Sequence, residues 1–139
     1  MSPTMLLWPM VIHALITLTL YVPMSRNRVR GVIDGKVKSS VYRLLQDEPG
    51  ESLKFSNAIR NQNETGILFY AACLLAYITA GTSFLTVGLA WFFVIAKAIH
   101  VSIHITSNRL RYRRPVFMLA YLSLVLLWVV NGLHLAGLV

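Results

Sequence analysis

The stretch FSNAIRNQNETGILFY, Phe55–Tyr70, decides how the chain is interpreted, because its polar beginning leads without a proline into an apolar run. At 3.6 residues per turn, five of its residues share one helix face: Asn57, Arg60, Asn61, Glu64 and Leu68. Arg60 and Glu64 are one turn apart, so their charges can offset each other. The pattern predicts a helix that carries a polar stripe into a membrane and ends near residue 80.

The composition favours a single membrane domain over residues 1–139. Of the 139 residues, 56% are hydrophobic and only 13% are charged, with a mean hydropathy of +0.62, whereas soluble domains average about 25% charged residues. The net charge of +8 does not indicate nucleic-acid binding, because the basic residues flank apolar segments. In that position they usually set membrane topology or contact anionic lipids, so membrane lipids are the expected partner.

Four apolar segments have the length of a membrane-crossing helix, which is about 20 residues for ~30 Å of hydrocarbon. They are residues 6–24, 56–80, 84–105 and 116–138, and the two long connections are residues 25–55 and 106–115. Pro115 is expected to begin the last helix, since proline is favoured in a first turn. We therefore predict an all-α integral membrane protein with four transmembrane helices in a left-handed bundle.

Lysine and arginine determine the predicted orientation. Twelve of the thirteen basic residues lie in or beside the two long connections, and the remaining one, Lys97, lies within the third apolar segment. The other side, which holds the two termini and the turn at Gly81, has none. Because basic loops stay in the cytoplasm, we expect both connections inside and both termini outside.

Polar residues recur at helical spacing in the third segment and directly after it: Lys97, His100, His104 and Asn108. The cytoplasmic part of this stripe lies at the depth of Arg60 and Glu64 on the neighbouring antiparallel helix. The two stripes can therefore line one polar cleft that opens to the cytoplasm, beside the arginines after residue 108. Two interpretations stay open, a ligand cleft and hydrogen bonds that only hold helices together. The excess of cations predicts an anionic ligand, which suits arginine.

A metal site is not predicted. His100 and His104 are one turn apart, but this pair alone is a weak pattern and no carboxylate on the same segment completes it. The single cysteine, Cys73, lies in an apolar run and is interpreted as a small buried or lipid-facing hydrophobe.

The chain resembles the MAPEG family, the membrane-associated proteins of eicosanoid and glutathione metabolism, and in particular its bacterial members. The likeness covers the length, the four apolar segments, the long first loop and the short basic second loop. Its most specific part is Asn61–Gln62–Asn63–Glu64 followed by Leu68–Phe69–Tyr70, which is similar to the family's N-x-x-E on the second helix with aromatic residues after it.

The resemblance implies a homotrimer with glutathione bound between neighbouring subunits near the cytoplasmic surface. It implies that Asn61 and Glu64 hold the backbone and the amino group of glutathione, and that His104 takes the place of a tyrosine that contacts the peptide. The ligand-binding residues implied in this way are Asn57, Arg60, Asn61, Glu64 and His104. The candidate catalytic residues are Arg109 and Arg113.

The sequence also departs from the family pattern. Asn57 stands where the family often has an arginine four residues before the motif asparagine, and Arg60 lies next to that asparagine instead. Ile67 replaces the proline that often follows the motif glutamate. The thiol-activating arginine of the family corresponds either to Phe117 or to Arg113, and the register at the loop proline leaves both alignments open.

Three functions are compatible with these features. The first is a glutathione transferase or peroxidase for lipophilic electrophiles that enter from the bilayer, with Arg109 or Arg113 favouring the thiolate through its positive charge. The second is a non-catalytic trimeric scaffold or binding protein. The third is a small proton-coupled exporter in which Glu64 would titrate, although Arg60 one turn away opposes that role. A bacterial inner (plasma) membrane is the expected location.

Overall fold

The computed structural model describes residues 2–44 and 46–138, so Met1, Leu45 and Val139 lie outside the description. A short 3-10 helix, Pro3–Leu6, is followed by α1 (Leu7–Ile33), α2 (Ser39–Leu44), α3 (Gly50–Ile78), α4 (Phe84–Ile105) and α5 (Leu110–Leu135). The described residues form no strand, which confirms the all-α prediction.

The four long helices pack around a core of aromatic and small residues. α4 lies along α5 and α1 lies along α3, while α3 and α4 also contact each other. Phe69 of α3 stacks on Phe93 of α4 with ring centroids 4.4 Å apart, and Leu124 and Leu127 of α5 close the same cluster. Buried alanines on α3, α4 and α5 let these helices approach closely.

Three parts of the structure are long and apolar enough to cross a membrane: residues 3–33, α4 and α5. Large apolar side chains such as Trp8, Leu18 and Phe84 cover their outer faces, as expected for contact with lipid. α3 has 29 residues, which is also long enough, but its first half is polar. The fourth crossing, the hand of the bundle and the orientation in the membrane therefore stay predictions.

The helix boundaries differ from the predicted ones at the end of the bundle where the basic residues lie. α1 continues to Ile33 rather than ending near residue 24, and α3 begins at Gly50 rather than near residue 56. Hydropathy detects only the apolar part of a helix, whereas residues 25–33 are mostly polar but contain no proline that would end the helix. α1 ends just before Gly35, which has a φ of +67°, a conformation that favours glycine.

Pro115 does not begin the last helix. α5 begins at Leu110, so Pro115 lies inside it, and the connection predicted over residues 106–115 is much shorter. The turn is made by Asn108, which has a φ of 50°. This left-handed conformation is tolerated better by asparagine than by most residues. The chain re-enters a helix directly after Arg109, the N-cap residue of α5.

A half-buried ion pair holds the segment between α2 and α3 against α1. Arg28 of α1 donates from Nε to Glu48 Oε1 at 2.8 Å and from Nη2 to Glu48 Oε2 at 3.0 Å. The hydroxyl of Ser56 on α3 donates to the same carboxylate at 3.1 and 3.0 Å. Burial raises the pKa of the Glu48 carboxyl, but the hydrogen bonds and the charge of Arg28 outweigh this effect and lower it overall.

Candidate functional site

The polar residues at the start of α3 face two different clefts. Asn61 is half-buried and lines a cleft formed with α4 and α5, whereas the exposed Arg60 and Glu64 line a second cleft between α1 and α3. Asn57 is half-buried and lines neither of them. The ligand-binding residues predicted on α3 are therefore divided between two sides of a single chain.

The first cleft, which we call the arginine cleft, has a volume of about 210 Å³. It is lined by Asn61, His100, His104, Leu110, Arg113, Arg114 and Phe117. The lining contains two arginines and no carboxylate, so its electrostatic potential favours an anionic ligand. Three of the predicted site residues, Asn61, His104 and Arg113, are brought together here.

The two predicted catalytic arginines have different positions. Arg113 is half-buried and lines the arginine cleft, and its Nη1 donates to Asn108 Oδ1 in the turn before α5. This contact holds the guanidinium near the cleft and leaves its other N–H groups for a ligand. Arg109 is exposed at the N-cap position of α5 and does not line the cleft.

The second cleft, which we call the Glu64 cleft, has a volume of about 680 Å³. Its wall includes the Arg28–Glu48 pair, and its other charged residues are Asp47, Arg60 and Glu64. Among the described residues, no ion pair joins Arg60 to Glu64. The pairing expected from their spacing is therefore absent from the single chain, in which both residues are exposed.

A buried polar layer forms the inner side of the arginine cleft. The ammonium of Lys97 is fully buried and donates to the backbone oxygen of Asn61 at 3.0 Å and to its Oδ1 at 2.8 Å. His100 and His104 are also buried, with ring centroids 5.8 Å apart. The polar stripe on α4 therefore faces the interior of the bundle, as its helical spacing predicts.

The two histidines are available as hydrogen-bonding groups. His100 Nδ1 and His104 Nδ1 are buried and have no partner among the described residues, although buried polar atoms usually have one. The described part of the chain contains no group of three His, Cys, Asp or Glu side chains placed to hold a metal. Water or a ligand in the cleft would satisfy these nitrogen atoms.

Sequence reasoning missed Leu110 as a residue of the arginine cleft. It placed Arg114 only beside the cleft and considered Phe117 only as an alternative position of the activator. Measured from Leu110, spacings of three, four and seven residues place Arg113, Arg114 and Phe117 on one helix face. The signal was present, but the prediction of a loop up to residue 115 concealed it. Phe117 also lies over the buried layer, with Lys97 Nζ 5.7 Å from its ring centroid.

Comparison with known proteins agrees with the resemblance seen in the sequence. The sequence model of the MAPEG family matches residues 6–133, which is nearly the whole chain. No curated protein and no solved structure matches the chain.

Proposed function

The chain belongs to the MAPEG family, and on this premise we propose that it binds glutathione and activates its thiol for reaction with lipophilic electrophiles. Family membership together with the long apolar helices makes it an integral membrane protein. The arginine cleft is the observation that carries the proposal, because Asn61 and two arginines converge there without a carboxylate. Glutathione has two carboxylates and a thiol, and each is stabilised as an anion by such a site.

The complete site is proposed to lie between neighbouring copies of a homotrimer. Glu64 faces one cleft and Arg113 faces the other, so one chain alone does not bring the two residues together. In a cyclic assembly each subunit presents one face to the opposite face of the next. The Glu64 cleft of one copy would then meet the arginine cleft of its neighbour, with Glu64 accepting a hydrogen bond from the glutathione ammonium.

Arg113 is the proposed activator of the thiol. A positive charge near a thiol lowers its pKa, and the proton leaves to water. In a conjugation, the thiolate sulfur forms a bond to an electrophilic carbon, while the bond to the leaving group breaks and its electron pair goes to that group. In a peroxide reduction, the sulfur takes the terminal oxygen and releases an alcohol. A second glutathione then forms the disulfide and releases water.

The cleft offers an apolar side to the second substrate. Leu110 and Phe117 form that side, and the exposed Tyr121 stacks on Phe117 with ring centroids 6.4 Å apart. A lipophilic molecule would reach the thiolate along these side chains from the bilayer. The proposal also includes four membrane-crossing helices, both long loops in the cytoplasm and a bacterial inner membrane. In this orientation the cleft opens to the cytoplasm, on the side where the basic residues lie.

A binding protein without turnover is the second candidate. It is favoured by the contact of Arg113 with Asn108, which already occupies one of its nitrogen atoms, and by Phe117, which lines the cleft at the other position considered for the activator. Such a protein would hold glutathione as the thiol, with the arginines of the cleft bound to its carboxylates and not close to its sulfur.

Replacement of Arg113 separates the two candidates. Arg113→Met should raise the pKa of the bound thiol by about 1–3 units and slow conjugation of a small lipophilic electrophile at least tenfold, while glutathione still binds. Arg111→Met is the matched control, because Arg111 is exposed on the same helix and lines neither cleft. Ultraviolet absorbance of the thiolate against pH measures the first quantity. An unchanged conjugation rate would exclude Arg113 as the activator, and a wild-type complex without thiolate would favour the binding protein.

Replacement of Glu64 tests the intersubunit site. Glu64→Gln keeps the shape but removes the negative partner of the ammonium, so glutathione affinity should fall roughly ten- to a hundredfold. Calorimetric titration measures the affinity, and native mass spectrometry follows the trimer. A mutant that loses the trimer but binds glutathione as before would make Glu64 a structural residue. A wild-type protein that is monomeric or dimeric in several mild detergents would remove the intersubunit site.

A further inference from the structure

Lys97 is a buried cation whose hydrogen bonds go to one residue. Its Nζ donates to the backbone oxygen and to Oδ1 of Asn61 on the neighbouring helix, at 3.0 and 2.8 Å. The side chain is fully buried, and no ion pair among the described residues includes it. A charged side chain buried within a membrane helix costs free energy. The contact with Asn61 is therefore expected to have a function that offsets this cost.

The chemistry of the two groups fixes the orientation of the Asn61 amide. An ammonium has three donors and no acceptor, whereas an asparagine amide has one acceptor oxygen and one donor nitrogen. The atom of Asn61 that faces Lys97 must therefore be Oδ1. The remaining group, Nδ2, is a donor without a hydrogen-bond partner in the described part of the chain, and it belongs to a residue that lines the arginine cleft.

We propose that Lys97 is a positioning residue that makes Asn61 a hydrogen-bond donor toward the ligand. Because Lys97 binds Oδ1, the Nδ2 of Asn61 is the atom that faces the ligand. It therefore selects a carbonyl or carboxylate oxygen of the ligand and rejects an N–H group at the same place. The inference deepens the proposed function and rests on it only for the identity of the ligand as glutathione. Without Lys97 the amide is free to rotate and loses this selectivity.

Two other roles of Lys97 make different predictions. If the ammonium acted on the ligand only through its charge, its effect would not depend on the side chain of residue 61. If Lys97 only filled space in the core, its loss would lower stability without a specific effect on binding. Both roles are separated from positioning by a double-mutant cycle, which measures the coupling between two residues.

The cycle uses Lys97→Met and Asn61→Ala, singly and together, with glutathione as the probe in calorimetric titrations. Lys97→Met should weaken binding about three- to tenfold in the wild-type background, which is the range for one hydrogen bond, and less than about twofold in the Asn61→Ala background. Val94→Ala is the matched control, since Val94 lies one turn earlier on α4, is buried and carries no polar group. It should leave the affinity unchanged. Equal losses in both backgrounds would overturn the proposal.

A second variant and a second readout keep the test independent of folding and of glutathione. Lys97→Arg retains a charged donor and should restore most of the affinity lost in Lys97→Met. In protein labelled with ¹⁵N at asparagine, the Asn61 side-chain amide signal should shift and broaden in Lys97→Met but not in Val94→Ala, with no ligand present. An unchanged amide signal would refute the positioning role. Absence of glutathione binding in the wild type would refute only the proposed function.

Discussion

Replacement of Glu48 by glutamine tests whether the Arg28–Glu48 ion pair stabilises the end of the bundle that carries the first long connection. Glu48→Gln keeps the size of the side chain but removes its charge and turns one acceptor oxygen into a donor. In either orientation of the amide, that donor would face Ser56 and one nitrogen of Arg28, whose hydrogen bonds now converge on the carboxylate at 2.8–3.1 Å. The mutant should therefore lose part of the contact between α1 and the segment before α3.

The expected size follows from the burial of the two partners. The Glu48 side chain is 7% exposed and that of Arg28 is 24% exposed, so after the mutation the guanidinium can still reach water. A charge-assisted hydrogen bond contributes about 1.5–3 kcal/mol and loss of one partner of a fully buried pair costs about 3–5 kcal/mol, so we expect about 2–3 kcal/mol in the free energy of unfolding. At roughly 3–4 °C per kcal/mol, the melting temperature should fall by roughly 6–12 °C.

The assay is thermal unfolding in a mild detergent as a function of pH. The pKa of Glu48 in the folded protein is lowered from its ordinary value of 4.5. Its stabilising effect is therefore fully present above pH 4.5 and is lost as the pH falls through the lowered pKa. The difference in melting temperature between wild type and mutant should be constant near neutral pH and should shrink in acid.

Glu51→Gln is the matched control. Glu51 pairs with Lys54 at 3.7 Å, but its side chain is 86% exposed, and such surface pairs contribute little. The melting temperature of the Glu51→Gln protein should stay close to that of the wild type. Equal effects of the two mutations at neutral pH, or a Glu48 effect that persists unchanged in acid, would refute the assignment of the Arg28–Glu48 pair as a structural lock.

Two further predictions concern packing and topology. A Cβ at Gly66 would lie 3.0 Å from His13 Cε1, whereas one at Gly88 would meet nothing within 4 Å. Gly66→Ala should therefore destabilise the protein by about 1–3 kcal/mol and Gly88→Ala should stabilise it by up to about 1 kcal/mol; thermal unfolding in which both change in the same direction would contradict the packing. In intact cells, with the native cysteine replaced, Gly35→Cys should resist a membrane-impermeant thiol reagent and Thr82→Cys should react with it. The reverse labelling would invert the orientation.

Much of the fold was predictable because membrane helices have a strong composition signal. The third apolar segment, residues 84–105, coincides with α4. The ends of the other helices were harder to predict, since α1 and α5 extend into polar sequence where hydropathy falls but the backbone stays helical. Gly35 and Asn108, which adopt left-handed conformations, mark the real ends better than hydropathy does.

The site was only partly predictable, for a geometric reason. Successive residues on a helix are about 100° apart, so a stripe that includes Arg60 and Asn61 is wide enough to contact neighbours on both sides. The sequence could not show that α1 borders Arg60 while α4 and α5 border Asn61. The level of these residues along the bundle was predicted better than the side of the helix that each one faces, since Asn61, His104 and Arg113 do meet in one cleft. The contact between Lys97 and Asn61 depends on the rotation of α4 against α3, which the periodicity of one helix does not specify.

Binding of glutathione to the wild-type protein is the most direct test of the central claim. The melting temperature of the detergent-purified protein should rise with glutathione concentration, corresponding to about 2.7 kcal/mol of added stability at a hundred times the dissociation constant. Glycine at the same concentrations shares the ammonium and the carboxylate but lacks the thiol and the peptide, and it should leave the melting temperature unchanged. Equal melting curves with glutathione, with glycine and without ligand would contradict the account.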